Sequence, residues 1–194
     1  MKIKDTLNLP RTDFPMKANL AKNEPKILKW WKDIKFYEQV RKARKGAPAY
    51  VFHDGPPYAN GNIHMGTALN KILKDFVVRY KTMRGYDCPF VPGWDTHGLP
   101  IELQVMGNLK EQADDLSIKA LRRECRQFAL NFMEIQREQF KRLGGLADWS
   151  YPYLTLEPAY EAKQIEVFSE LYRSGYIFRG KKPIYWCTHC ETAL

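Results

Sequence analysis

The chain has 194 residues, 44% of them hydrophobic and 13% aromatic, enough to bury the core of one ordinary domain with appendages. No apolar run is long enough to span a bilayer, and the opening MKIKDTLNLPRTDFP lacks the apolar stretch of a secretory signal. Four cysteines (Cys88, Cys125, Cys187, Cys190) make no disulfide framework in a chain of this length, which favours a reducing, cytoplasmic setting. A formal charge of +9 and a pI near 9.3 favour an acidic partner such as nucleotide, RNA or anionic lipid. The basic residues are spread along the chain, however, and most of them solvate helix faces.

In chain order, the first twenty residues read as an extended arm broken by Pro10 and Pro15. Asn23 is expected to cap a helix with Pro25 in its first turn. Ile27, Trp30, Trp31 and Ile34 recur there at i, i+3, i+4 and i+7 as one buried stripe. Gly46 and Pro48 end that segment. A short strand is expected over Tyr50 to His53, followed by the turn-rich loop Asp54-Gly-Pro-Pro-Tyr-Ala-Asn-Gly61. A helix from His64 to Met83 comes next, with Leu69, Ile72, Leu73, Phe76, Val77 and Tyr80 facing inward and Gly85 as its stop. A second strand over Cys88 to Val91 completes a βαβ unit, whose strands should run parallel. Further on, a long helix runs from a Ser117 cap to Arg142, closed by Gly144-Gly145. Another runs from Pro158 to Ser174, stopped by Gly175, and short strands at Ile177-Phe178 and Ile184-Tyr185-Trp186 end the chain.

The chemistry is expected at the strand–loop–helix over residues 50 to 67. Ligands of open α/β sheets bind beyond the carboxyl ends of the strands, and a helix start offers free N–H groups to a phosphate. The loop is neither GxxxxGK[ST] nor GxGxxG, which argues against a P-loop kinase or a dehydrogenase. The helix opens instead on His64-Met65-Gly66-Thr67. Gly66 lets a flat ligand ring approach the backbone, and His64 can donate a hydrogen bond to a phosphate oxygen.

Two long blocks carry a resemblance. His53-Asp-Gly-Pro-Pro-Tyr-Ala-Asn-Gly-Asn-Ile-His-Met-Gly66 resembles the "HIGH" region of class I aminoacyl-tRNA synthetases. Gly93-Trp-Asp-Thr-His-Gly-Leu-Pro-Ile-Glu102 is similar to that family's next block. Together they resemble the bacterial-type isoleucine branch, from Thr12 to the end of the chain. The resemblance implies an α/β fold: the first half of a Rossmann-like parallel-sheet catalytic domain, with an amino-terminal helical arm and the start of an inserted domain. The expected divisions are 1–48 for the arm and its helix, 49–145 for the half-domain, and 146–194 leading into the inserted editing domain. The implied activity is ATP- and Mg²⁺-dependent activation of isoleucine and its ligation to tRNA(Ile), by a cytoplasmic enzyme monomeric when complete.

Carried over by motif position, Asn60, His64, Gly66 and Thr67 bind ATP, with His64 and Thr67 catalytic. Gly55, Pro56 and Asn60 line the aminoacyl-adenylate pocket, and Asp95 pairs with the substrate ammonium. The fourth motif position is usually histidine in the family and is Thr67 here, whose hydroxyl can donate one hydrogen bond but carries no charge. The family's KMSKS loop does not occur in these residues, so they are expected to hold half an active site and to be inactive alone. Cys187-Thr-His-Cys190 is a CxxC that offers two ligands of a four-ligand zinc site, with Zn²⁺ expected only in a complete enzyme. Glu102, His53 and His97 are read as supporting rather than catalytic residues. A nucleotidyltransferase of the wider HxGH superfamily and a non-catalytic RNA-binding module are the alternatives.

Overall fold

The computed structural model describes residues 2–8, 12–110 and 116–194; the expected breaker Pro10 lies outside the described residues. Helix α1 spans Leu20–Asp33 and begins three residues before the expected cap. The residue at its start is Asn19, in the left-handed region at φ 47°, a conformation asparagine tolerates. Asn23 lies inside the first turns, its amide donating to the Ala18 carbonyl at 2.7 Å. Pro25 therefore sits within the helix rather than at its opening. No residue of α1 is buried; Ile27 and Trp30 are exposed, while Trp31 and Ile34 are half-buried. The expected stripe is thus only half used. A short helix, α2 over Phe36–Ala43, escaped the sequence reading because eight residues show too little of a period. Its Phe36 stacks on Trp31 at 5.2 Å.

The sheet is small and parallel. Residues 49–58 run beside 87–95, with bridges at Ala49–Asp87 and Tyr58–Asp95. Strand β1 (Gly93–Trp94) pairs in parallel with β2 (Tyr153–Leu154). Between the two bridges no ladder forms, so the strands expected at 50–53 and 88–91 are extended chain only. Pro56 and Pro57 on one side, and Pro89 and Pro92 on the other, have no N–H to donate. Helix α3 (Met65–Met83) connects the first two lengths, giving the expected strand-like, helix, strand-like order in an α/β arrangement.

Helix α4 (Leu99–Leu109) is not among the expected elements, since Gly98, Pro100 and Gly107 are poor helix formers. Gly98 instead precedes the helix at φ 97°, and Pro100 falls in its first turn, where a missing N–H costs nothing. Helix α5 (Ile118–Arg142) is capped by the Ser117 hydroxyl on the Ala120 N–H and followed by Gly144 at φ 80°. Helix α6 (Pro158–Arg173) is followed by Gly175 at φ 79°. No strand forms at 177–178. The last expected strand shifts into a hairpin, β3 (Trp186–Cys187) antiparallel to β4 (Thr192–Ala193), which folds the CxxC into its turn. Among the described residues no helix is long and apolar enough to cross a membrane.

The core lies where α4 and α5 pack on β1 and β2: Trp94, Ile101, Val105, Ala129, Met133, Phe140 and Leu154 are all buried there. Helix α3 meets it with an unexpected face. Lys71 and Val78 are buried, whereas Leu69, Leu73, Phe76 and Tyr80 are 52–61% exposed. The reason is Asp54, which is fully buried and ion-paired to both Lys71 and Lys74. Lys74 lies 2.6 Å from Asp54 and also donates to the Gly55 carbonyl at 3.0 Å, and the Gly93 N–H donates to the same carboxylate at 3.0 Å. The Lys71 ammonium further faces the rings of Phe140, Phe90 and Trp94 at 5.1, 5.8 and 5.9 Å. Burial holds the Lys71 pKa below its ordinary value, and Asp54 opposes that shift. Replacing Asp54 by alanine would strand that cation. Urea denaturation of Asp54→Ala should show a loss of about 3–5 kcal/mol, the usual cost of breaking a buried pair on one side.

Candidate active site

The start of α3 is built from its own motif. The His64 ring folds back over the helix end, its Nδ1 accepting the Gly66 N–H at 3.0 Å. In the neutral ring that places the proton on Nε2, leaving one outward donor. A Cβ at Gly66 would stand 2.9 Å from His64 Cε1, so glycine is needed first to admit the motif's own histidine. The Thr67 hydroxyl accepts the His64 N–H at 2.9 Å and donates to the His64 carbonyl at 2.8 Å, closing a capping box. Its single proton is therefore already engaged.

These residues border a cleft of about 250 Å³ lined by Gly55, Pro56, His64, Gly66, Thr67 and Lys71, among others. No carboxylate belongs to that lining. Asn60 and Asp95 do not line the cleft. Asp95 bridges Tyr58, two residues before Asn60, and the Ala59 N–H donates to the Asp95 carbonyl at 3.0 Å. Asp95 is half-buried and, among the described residues, forms no ion pair. Its Oδ1 lies 3.4 Å from the Thr155 hydroxyl. The parallel pairing thus sets Asp95 and the stretch from Ala59 into α3 at the same, carboxyl end of the paired lengths.

Several supporting residues left no signal in the sequence. Gln136 of α5, 2% exposed, accepts the Trp94 indole N–H at 3.0 Å and donates to the carbonyls of Tyr58 and Gly61 at 3.0 and 2.7 Å. One helical turn on, Gln139 accepts the Ile63 N–H at 2.9 Å and donates to Asn62 Oδ1 at 2.8 Å. Together they fix the loop that leads into His64. Tyr153 donates to the Asp54 carbonyl at 2.6 Å, and burial, followed by the Asp54 charge, holds its hydroxyl above the ordinary phenol range. Its ring lies where a Cβ on Gly93 would be, 2.0 Å away, so no other residue fits at 93. His53 stacks on that ring at 5.5 Å, and His97 Nε2 lies 3.2 Å from the Thr155 carbonyl.

Residues 26–194 match the family described as tRNA synthetases class I (I, L, M and V). The chain belongs to this family. As a class I synthetase sequence it is 60% identical over 194 residues to an isoleucine–tRNA ligase of Kosmotoga olearia, covering 100% of this chain and 21% of that protein. It is 57% identical over 194 residues to the ligase of the same name from Natranaerobius thermophilus, with the same coverage. To that of Caldanaerobacter subterraneus subsp. tengcongensis it is 61% identical over 189 residues, 97% of this chain and 20% of that protein. The chain therefore spans about a fifth of the length of these relatives. The LeuRS chain in a ternary complex with tRNA and LeuAMS from Agrobacterium radiobacter K84 shares the fold, with a TM-score of 0.68 at 21% identity over 92% of this chain and 21% of that one.

The second candidate centre is the hairpin turn. The Cys190 N–H donates to Cys187 Sγ at 3.4 Å, and backbone N–H groups of Cys190 and His189 lower the Cys187 thiol pKa, which favours the thiolate a metal would need. All four cysteines are free, and among the described residues no three His, Cys, Asp or Glu side chains cluster as a metal site.

The capping box yields a direct test at Thr67. Thr67→Val should lower the stability of the chain by about 1 kcal/mol, as loss of a helix cap does, while Thr67→Ser should stay near the parent. Denaturation midpoints of the two variants check this; equal midpoints would show that the hydroxyl does not hold the helix start.

Proposed function

We propose that this sequence is the adenylate-forming part of an isoleucine–tRNA ligase, the first half of a Rossmann-like catalytic domain over 49–145, preceded by an arm over 1–48 and followed by a lead into an inserted editing domain over 146–194. The observation that carries the reading is the meeting, at one end of a parallel pair, of the His64–Thr67 helix start and the Asp95 carboxylate, which forms no ion pair among the described residues. Identity near 60% to isoleucine–tRNA ligases over the whole chain supports the choice of amino acid. In this reading the isoleucine carboxylate attacks the α-phosphorus of ATP and pyrophosphate leaves; a hydroxyl at the end of tRNA(Ile) then takes the aminoacyl group from the adenylate, releasing AMP. The attacking carboxylate is already ionised, so the protein needs no general base, and its contribution is positioning and charge stabilisation.

In this reading His64 Nε2–H faces the phosphates, the Gly66 N–H being held by His64 Nδ1, with Gly66 and Asn60 beside the nucleotide. Gly55 and Pro56 bound the adenylate, and Asp95 takes the isoleucine ammonium. Thr67 acts catalytically by holding His64 in place, since its proton is spent in the cap; a direct phosphate contact would break one of those bonds. Mg²⁺ would enter on the nucleotide phosphates, because the cleft offers it no carboxylate. Zn²⁺ would take Cys187 and Cys190 as two of its ligands and draw the remainder from residues beyond these in a longer, cytoplasmic and monomeric enzyme. The net charge of +9 suits a tRNA partner.

The test is isoleucine-dependent exchange of pyrophosphate into ATP by a chain of the relatives' length carrying this sequence. In that chain Asp95→Ala should weaken isoleucine by about 2–5 kcal/mol, the cost of leaving a hydrogen-bonded charge unpaired, and change the KM for ATP far less. Equal losses for both substrates would make Asp95 structural.

A further inference from the structure

The proposed ammonium carboxylate is held by a chain of hydroxyls that lies outside both motif blocks as an interaction. Asp95 and Thr96 follow β1, and Thr155 follows its parallel partner β2, sixty residues further on. Thr96 and Thr155 are 2% and 7% exposed. The Leu156 N–H donates to Thr96 Oγ1 at 3.0 Å, and the Thr96 N–H donates to Thr155 Oγ1 at 3.0 Å. The two hydroxyl oxygens stand 3.1 Å apart, and Thr155 Oγ1 stands 3.4 Å from Asp95 Oδ1.

Each hydroxyl has one proton and two lone pairs, and an ionised carboxylate only accepts. One assignment then satisfies every contact. Thr155 donates to Asp95, so its oxygen must accept from the Thr96 hydroxyl as well as from the Thr96 N–H. Thr96, having donated, accepts from the Leu156 N–H. The direction of the relay is fixed by the backbone at one end and the carboxylate at the other. Its last link is long for an O–H···O bond, as hydrogen bonds at reactive sites often are before substrate draws them in. The relay turns a half-buried, rotatable side chain into one with a preferred orientation, and it leaves Oδ2 without a hydrogen-bond partner among the described residues.

Resting on the reading of Asp95 above, we propose that Thr155, set by Thr96, is a positioning residue that aims the Asp95 carboxylate at the isoleucine ammonium. Thr155→Val keeps the shape of the side chain and removes the donor; Thr155→Ser keeps the donor. In a chain of the relatives' length carrying this sequence, pyrophosphate exchange should show Thr155→Val raising the isoleucine KM about tenfold, the worth of one hydrogen bond to a charged group, with the ATP KM within about twofold of the parent. Thr155→Ser should match the parent for both substrates. Thr96→Val removes the proton that Thr155 accepts without touching Asp95, so it should raise the isoleucine KM selectively by a smaller factor. Should Thr155→Val not fold, Thr96→Val carries the test. A parent without isoleucine-dependent exchange overturns the proposed function and this proposal with it. An active parent whose valine variants weaken both substrates alike, or neither, overturns this proposal alone.

Discussion

A single buried carboxylate organises the molecule. Asp54 is removed from water and is compensated from three directions: two ammonium groups of α3 and the N–H that opens β1. Its backbone carbonyl takes a fourth donor, the Tyr153 hydroxyl, from the strand on the far side of β1. An ionised group in this setting would cost several kcal/mol if left alone, so these partners cannot be exchanged one at a time. The consequence is geometric. Residue 54 lies between the two bridges of the 49–58 length, and pinning it sets how that length lies beside 87–95, which face α3 turns inward, and how closely β1 and β2 approach.

The face of α3 shows why part of this was legible in the sequence and part was not. Apolar periodicity identifies the helix and its end correctly, because Leu69, Leu73, Phe76 and Tyr80 recur at helical spacing. The same pattern points to the wrong face. Thr67, Lys71, Lys74 and Val78 form a second stripe at the same spacing, and it is that stripe which turns inward because its two lysines pair with Asp54. No hydrophobicity rule chooses a face bearing two ammonium groups. In α1 the error was of another kind: Pro25 looks like a first-turn proline, but a left-handed Asn19 starts the helix earlier. Helix α4 was not expected for a related reason, since Gly98 and Pro100 suit a turn as well as they suit a helix start. The caps at Ser117 and the glycines at 144 and 175 were legible because each acts on its own few residues.

The site divides along the same line. His64, Gly66 and Thr67 could be read locally, since their contacts span only a few residues. What holds the rest of the site comes from far along the chain. Gln136 and Gln139 fix the loop before His64 from 75 to 78 residues away, and Thr155 reaches Asp95 from 60 residues away. A glutamine in a long amphipathic helix or a threonine after a strand carries no mark of such a role. The motif blocks name the residues proposed to face the ligands, and the parallel sheet with α5 behind it decides where those residues stand.

The central claim is that one cleft receives the nucleotide at the start of α3 and the amino acid at Asp95. A crystal structure of a chain of the relatives' length carrying this sequence, bound to a non-hydrolysable isoleucyl-adenylate analogue, tests it most directly. The account predicts the ligand ammonium at hydrogen-bond distance from Asp95, about 3 Å, with the acyl-phosphate mimic equally close to His64 Nε2. An analogue whose ammonium rests on another carboxylate, or which leaves residues 64–67 untouched, would contradict it.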